Sequence, residues 1–336
     1  MRLGRNFTNL LEYDYMPESA KKKFRAGKLD VADMDCRFQE KFKADIPRQV
    51  DAAIECGMTH VELDGGIPNP FLKMKKDALL KARDYAKEKD VTLSLHLPYT
   101  FVAEATCGFQ EQDRKLAVRL LKRYIDVAAV LDCVHLIMHP GSIPFYQATG
   151  LYLQRSDKSL FKSLVELGQY ASDRGMKLHI ENNTKWDPAH VRPEETLPLL
   201  DKVAEKGVTV WYCFDLAHTF TLVERTEDIP RPPEAPYETI PARYYSAIHI
   251  GDFVPEKVLF HPPLHHDAGL LKAEDWKRIF RIFRRKGVET VIVETAVRER
   301  EDLINGRQIM LEESRYIKTI FDEVMAEPAP EPEPKN

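Results

Sequence analysis

Eight short runs of β-branched and other apolar residues recur along the chain, separated by longer stretches of mixed polar and apolar character. They predict strands at residues 3–8, 60–64, 92–97, 134–138, 177–181, 209–215, 246–249 and 289–294. In intervening segments such as KKDALLKARDYAKEKD and AEDWKRIFRIFRRKG, apolar residues recur three and four positions apart, which indicates amphipathic helices. Strands that alternate with helices form a parallel sheet, and eight such units close into a barrel. We therefore predict an α/β protein, an eight-stranded parallel β/α (TIM) barrel.

One barrel domain is predicted to occupy residues 1–325 of the 336-residue chain. Two segments exceed what a minimal barrel needs: residues 9–44, rich in charged and aromatic side chains, and the proline-rich residues 219–243. Both follow predicted strands, and insertions after strands lie on the catalytic face of a barrel, so we expect them to wall a substrate cavity. Residues 326–336 form a Pro/Glu-rich tail that has nothing to bury, and we predict that it is disordered.

Composition narrows the class of protein. The chain is 43% hydrophobic and 30% charged, the balance of a globular protein with a sizeable core. No apolar run reaches the length of a membrane span, so no membrane association is expected. A net charge of −4 gives no general attraction to nucleic acid, so a nucleic-acid partner is not expected either. Five cysteines without a C-x-x-C pair, and no apolar signal core in the first residues, predict a cytoplasmic protein with reduced thiols.

Composition leaves the oligomeric state open. The aromatic side chains Phe280 and Phe283, and those between residues 13 and 42, are candidates for a subunit interface.

Residue types that bind metals stand at the ends of six predicted strands. They are His96, His139, Glu181, Asp215, His249 and Glu294. The C-terminal ends of barrel strands converge on one cavity, where several carboxylates repel each other unless a cation compensates them. We therefore predict a divalent metal ion bound by Glu181, Asp215, His249 and Glu294. Three carboxylates and one imidazole suit Mn²⁺, Mg²⁺, Co²⁺ or Zn²⁺.

The remaining histidines have different expected roles. His60, His135 and His179 lie deeper in their strands and are predicted to be structural. His96 and His139 lie at strand ends, where they are expected either to bind a second metal ion or to form hydrogen bonds with substrate hydroxyls.

Six motifs follow one another over nearly the whole chain: His-x-Pro-Tyr, His-Pro-Gly, Ile-Glu-Asn, Cys-Phe-Asp-x-x-His, His-x-Gly-Asp and Val-Glu-Thr. This series resembles the xylose isomerase-like barrel superfamily, which includes sugar isomerases, sugar epimerases and endonuclease IV. The resemblance implies that Glu181, Asp215, His249 and Glu294 are metal ligands, and that the two glutamates exchange protons on opposite faces of an enediolate. Asp187 falls where some epimerases carry another catalytic, substrate-contacting acid, although in Trp-Asp-Pro it is equally a turn former.

The resemblance to endonuclease IV implies further ligands, for substrate or for a second metal. The matching histidines are His96, His139, His218 and His265. His265 is chosen because Gly269 follows it at the family spacing, with His261 and His266 as alternatives.

Two functions follow from these residues. The first is a metal-dependent sugar isomerase or epimerase, or a related keto-sugar lyase, which acts on a small carbohydrate through a metal-stabilised enediolate. The alternative is an endonuclease IV-like, metal-dependent phosphodiesterase acting on abasic DNA. Pro263 stands where that enzyme has a hard ligand, and residues 219–243 carry five acidic residues against three arginines, which favours the sugar enzyme. Pro255 replaces the arginine that ketose epimerases place six residues after the metal-binding histidine, so the sugar stays open.

Overall fold

The computed structural model of the protein describes residues 1–334, and within them the chain forms ten strands. In chain order these are β1 (Arg2–Asn6), β2 (His60–Asp64), β3 (Thr92–His96), β4 (His135–Met138), β5 (Lys177–Glu181), β6 (Trp211–Cys213), β7 (Ala247–Ile250), β8 (Phe253–Val254), β9 (Leu259–Phe260) and β10 (Thr290–Glu294). Eight of them form one sheet of parallel pairs in the order β6-β5-β4-β3-β2-β1-β10-β7. β8 and β9 form a separate antiparallel hairpin. The predicted eight-stranded parallel β/α (TIM) barrel is confirmed.

The barrel is nearly closed. β6 and β7, at the two ends of the strand order, lie side by side without a ladder of backbone hydrogen bonds in the described structure. His179 bridges this seam, because its Nε2 accepts a hydrogen bond from the Ala247 amide at 3.1 Å, while its Nδ1 lies 3.2 Å from the Leu136 carbonyl oxygen. His60 and His135 are also buried, and their rings lie 2.8–3.1 Å from hydroxyl oxygens inside the barrel. The structural role predicted for these three histidines agrees with their contacts.

Helices surround the sheet and cover its outer face. They are α1 (Glu18–Arg25), α2 (Val31–Ala44), α3 (Ile46–Glu55), α4 (Lys76–Glu88), α5 (Glu111–Val130), α6 (Gly150–Ser172), α7 (Pro193–Ala204), α8 (Leu216–Phe220), α9 (Ala235–Thr239), α10 (Ala273–Lys286), α11 (Arg300–Ile304) and α12 (Gly306–Ala326). The predicted periodicity is clear in α10, whose buried face is formed by Trp276, Ile279, Phe280 and Phe283. Gly287 follows the last residue of this helix as its C-cap. Its φ of 68° is a left-handed conformation, which glycine adopts without strain.

The candidate interface aromatics belong instead to the core. Phe280 packs edge-to-face on Phe321 of α12, with ring centroids 5.4 Å apart, and Phe283 packs on Tyr237 of α9 at 4.8 Å. Both side chains are fully buried within the chain, so the suggestion that they form a subunit interface is wrong. The apolar face of an amphipathic helix looks the same in the sequence whether it meets another helix or another subunit.

The end of the described chain lies against the barrel. Residues 327–334 have neither helix nor strand, yet Glu327 pairs with Arg281 at 2.6 Å and Glu333 with Lys286 at 3.0 Å. The disorder expected for residues 326–336 stays a prediction, and its last two residues lie outside the described ones. No helix within residues 1–334 is both long and apolar enough to span a bilayer.

Candidate active site

The four predicted metal ligands meet at the C-terminal end of the barrel. Glu181 ends β5, Glu294 ends β10, His249 lies in β7, and Asp215 follows β6, where its Oδ1 caps α8 by accepting the Ala217 amide at 2.7 Å. One potential ligand atom from each of the four lies within 4.8 Å of the others. Nδ1 of His249 is central, at 2.9 Å from Glu181 Oε1 and 3.1 Å from Glu294 Oε2.

The chemistry of this cluster, which we call the tetrad, fits a divalent cation. Burial by itself raises the pKa of Glu181, but His249, His139 and His218 together hold it well below its ordinary value. Burial also opposes ionisation of Glu294, yet His261 and His249 lower its pKa to about 2. Oδ2 of Asp215 is buried and accepts no hydrogen bond within the described residues. Ionised carboxylates bind divalent metal ions, and a buried oxygen without a hydrogen bond is free to act as a ligand.

Three of the four additional histidines predicted from the sequence surround Glu181. Nε2 of His96 lies 3.1 Å and Nε2 of His139 lies 3.4 Å from Glu181 Oε2, and Nε2 of His218 lies 3.6 Å from Oε1. Backbone carbonyls orient two of these rings, since Nδ1 of His96 donates to Leu97 at 2.9 Å and Nδ1 of His218 to Asn182 at 2.6 Å. Each Nε2 is thereby turned toward the carboxylate.

His96 and His139 share one carboxylate oxygen but differ in protonation. Burial favours the neutral form of both rings. For His96 the hydrogen bond to Glu181 overcomes burial and raises the pKa to about 9. For His139 burial dominates and lowers the pKa to about 4. Near neutral pH His139 is therefore an uncharged imidazole at the cavity, able to accept or donate a hydrogen bond.

His265 is not brought to the site, and His261 stands there instead. The ring of His265 is 29% exposed, and the nearest carboxylate, that of Glu312, is 3.9 Å away. His261 is buried, with Nε2 3.3 Å from Asp215 Oδ2, and it forms a second group of possible ligands with Asp215, His218 and Glu294. The reason is the β8–β9 hairpin, which reverses the chain after β7 and returns the residue following β9 to the barrel mouth. The spacing between His265 and Gly269, on which the prediction relied, does not indicate this reversal.

Sequence reasoning also missed Glu62, which lies fully buried in β2. Its Oε1 lies 3.0 Å from His249 Nε2, although the approach is too oblique for a good hydrogen bond. Asn6 donates to the same carboxylate at 3.2 Å and Ser94 at 3.4 Å, so its position is fixed from both neighbouring strands. The signal was present, because strand alternation puts Glu62 on the same inward face as His60.

A cavity of about 330 Å³ lies over the tetrad. Its floor includes His96, His139, His218, His261 and Glu294, and its walls include Tyr99, Glu104, Trp186, Asp187, Phe260 and Arg298. Asp187 accepts a hydrogen bond from Ser142, and burial raises the pKa of its carboxyl group. A larger cleft, about 930 Å³, lies at the opposite end of the barrel around Met1 and His135, away from the tetrad.

The cavity walls correct the expectation for the two inserted segments. No residue of 9–44 or 219–243 lines this cavity among the residues described. The second segment instead stands behind the wall, where Arg225 donates to the Asp187 carbonyl oxygen at 2.9 Å and Thr221 Oγ1 accepts the Lys185 amide at 2.9 Å. The loops after β3, β4, β5 and β10 form the cavity walls, and the second segment supports the loop after β5 from behind.

Comparisons with known proteins agree with this geometry. A family model described as a xylose isomerase-like TIM barrel matches residues 50–320. The uncharacterized protein MJ1311 of Methanocaldococcus jannaschii is 27% identical over 144 residues, which cover 43% of this chain and 46% of that protein. The chain thus spans about half the length of the curated relatives that it matches.

Two solved structures extend the comparison over the whole barrel. A D-psicose 3-epimerase crystallised in the presence of D-fructose superposes with a TM-score of 0.65 at 15% identity, covering 97% of this chain and 100% of that one. A D-psicose 3-epimerase with D-tagatose from Clostridium cellulolyticum H10 superposes with a TM-score of 0.67 at 13% identity, covering 97% and 99%. At such identities the likeness shows the fold.

Proposed function

The chain belongs to the xylose isomerase-like TIM barrel family, and within that family we propose that it is a metal-dependent sugar isomerase or epimerase. One observation carries the proposal: Glu181 and Glu294 both approach His249 Nδ1, at 2.9 and 3.1 Å, beneath a cavity large enough for a monosaccharide. Two carboxylates around one centre can remove a proton from carbon and return one. A keto-sugar lyase would begin with the same proton removal.

Glu181, Asp215, His249 and Glu294 would hold the metal ion, Mn²⁺, Mg²⁺, Co²⁺ or Zn²⁺. When bound, such an ion stabilises the negative charge that develops beside a sugar carbonyl as the neighbouring carbon loses its proton. Glu294 lines the cavity with its side chain 20% exposed, which supports a role for it as the group that accepts that proton. Glu181 is fully buried beneath His96 and His139, and it is the second proton-transfer group.

The cavity walls supply the substrate contacts. The neutral ring of His139, the Asp187 carboxyl group and Ser142 offer hydrogen bonds to sugar hydroxyls, and Trp186 and Phe260 offer apolar faces. D-fructose and D-tagatose accompany the two superposed epimerases, which supports a small ketose as the reacting unit here. The five cysteines are all free, which supports a place in the reducing cytoplasm.

The endonuclease-like alternative rests on the additional histidines. His96, His139, His218 and His261 around the tetrad offer donors for more than one cation. Against it, Arg298 is the one lysine or arginine among the described residues of the cavity lining, while Glu104 and Asp187 are acidic. A phosphodiester backbone is bound by clustered basic side chains, so the charge of this lining favours a neutral sugar.

The two functions are separated by a paired assay. The metal-loaded protein is incubated with a ketose panel in D₂O, and separately with an abasic DNA duplex at low salt. We expect deuterium at a carbon next to the carbonyl group and no strand cleavage, because Glu181 and Glu294 are positioned for carbon acid chemistry. Metal-dependent cleavage that is lost in Glu181→Gln, without deuterium incorporation, would reverse the order of the two functions.

Glu62→Ala is expected to weaken metal binding by about 10- to 100-fold, because the Glu62 carboxylate, 3.0 Å from Nε2 of His249, electrostatically favours a proton on that nitrogen and leaves Nδ1 free for the metal. Competition between the protein and a chromophoric chelator measures this affinity. Glu62→Gln keeps an oxygen acceptor next to Asn6 and Ser94, and it should lose less affinity than the alanine variant. Equal affinity in Glu62→Ala and the wild type would remove Glu62 from the site.

A further inference from the structure

A second cleft, which we call the annex, adjoins the tetrad cavity. It has a volume of about 550 Å³, and Glu104 and Ser142 line both spaces. Glu104 and Ser142 thus form the boundary between the two spaces, and a molecule bound over the tetrad would pass between them to reach the annex. The tetrad cavity alone, at about 330 Å³, accommodates one sugar ring.

The annex wall combines aromatic faces with hydrogen-bonding groups. Phe109 and Tyr152 pack against each other with ring centroids 5.6 Å apart, and Phe101, a residue that is 75% exposed, stands on the rim. Polar groups between them are Glu104, Gln110, Asp113, Ser142 and Gln147. Aromatic surface beside separated donors and acceptors matches a sugar ring, which has an apolar C–H face and a polar edge.

The annex is preformed by contacts between the chain segments that lie behind its lining. Thr106 Oγ1 donates to the Pro140 carbonyl oxygen at 3.0 Å, and Ser156 Oγ donates to that of Cys107 at 2.9 Å. At Gly141, φ is 92° and a Cβ would lie 2.2 Å from the Glu104 carbonyl oxygen, so only glycine allows the two loops to approach. These contacts hold the cleft open before any ligand arrives, which limits the entropy lost on binding.

The backbone conformation of Phe101 also indicates a binding site at the annex. Its φ is 55°, a left-handed conformation that bulky residues rarely adopt, and the ring is held in solvent although burial would stabilise it. A strained backbone that exposes an aromatic face beside a cleft is typical of a binding position.

We propose that the annex binds a second unit of the substrate, so that the protein acts on a glycosylated ketose in preference to a free monosaccharide. The inference rests on the proposed function, because the ketose unit would occupy the cavity over the tetrad. The glycosyl unit crosses between Glu104 and Ser142 and stacks on Phe109 and Tyr152.

The test compares matched sugars on the full-length, metal-loaded protein. Dissociation constants are measured by titration calorimetry for D-fructose and for four glycosyl-fructoses: turanose, maltulose, isomaltulose and lactulose. We expect at least one of these disaccharides to bind about 10-fold more tightly than D-fructose. Tyr152→Ala and Phe109→Ala should each remove most of that difference and leave the D-fructose affinity unchanged. Tyr146→Ala is the matched control, because Tyr146 is 78% exposed nearby and lines neither space.

The outcomes separate the annex from the proposed function. If free ketoses bind and exchange deuterium while no disaccharide binds more tightly, the annex proposal is overturned and the sugar isomerase or epimerase proposal stands. The annex proposal is also overturned if the disaccharide preference survives both annex substitutions. If neither free ketoses nor disaccharides bind, both proposals are overturned.

Discussion

Glu181→Gln is expected to lower the rate of hydrogen exchange at the substrate carbon by about 10²- to 10⁴-fold, the range for a lost acid–base group, and to release the metal ion. The amide keeps the size of the side chain but removes the charge that Nδ1 of His249 contacts at 2.9 Å and Nε2 of His96 at 3.1 Å. In the proposed function Glu181 is both a metal ligand and a proton-transfer group, so its substitution should lower activity more than the substitution of any residue in the cavity wall.

Metal content and exchange rate are measured on the same preparations. Asp215→Asn should also lose metal, because it removes the charge on a carboxylate whose buried Oδ2 accepts no hydrogen bond in the described structure. Glu312→Gln is the matched control, since this carboxyl group lies outside the tetrad, beside His265 at 3.9 Å and Gln308, and the variant should retain both metal and activity. Circular dichroism checks that the fold persists, as expected for ligands at the barrel mouth. Full metal occupancy in both tetrad variants would refute the assignment.

Arg5→Leu is expected to lower the free energy of unfolding by about 3–5 kcal/mol, because it leaves a buried carboxylate without its cation. Arg5 of β1 pairs with Glu313 of α12 at 2.8 Å, and neither side chain is exposed. Glu313 also accepts hydrogen bonds from Thr295 at 2.6 Å and from the Leu264 amide at 2.8 Å. The pair therefore joins the first strand to the last helix and to the loops around β10.

Chemical denaturation of matched variants measures this cost. Arg25→Leu breaks solvent-exposed contacts with Glu18 and Tyr13 and should change the free energy of unfolding much less than Arg5→Leu, because solvent screens an exposed ion pair. The double variant Arg5→Leu, Glu313→Leu removes both buried charges and should recover part of the loss. A single-variant effect as small as that of Arg25→Leu would show that the buried pair is not important for stability.

The sequence alone predicted the barrel and the tetrad because both depend on local patterns. Strand and helix periodicities are set by neighbouring residues, and parallel strands in a barrel must end at the same face. Glu181, Asp215, His249 and Glu294 stand at or beside those ends, so their meeting follows from the fold class. Strand ends were less exact: residues 209–215 were predicted as a strand, whereas β6 spans only Trp211–Cys213, because Asp215 caps a helix.

His96, His139 and His218 beside the tetrad were also predicted, but tertiary structure alone decided its other neighbours. His261 takes the place predicted for His265 because a hairpin reverses the chain, and Glu62 contacts His249 from a strand 187 positions away in the chain. The annex exists because loops after β3 and β4 approach each other at Gly141. Each of these features depends on contacts between residues far apart in sequence, and local periodicity carries no information about such distances.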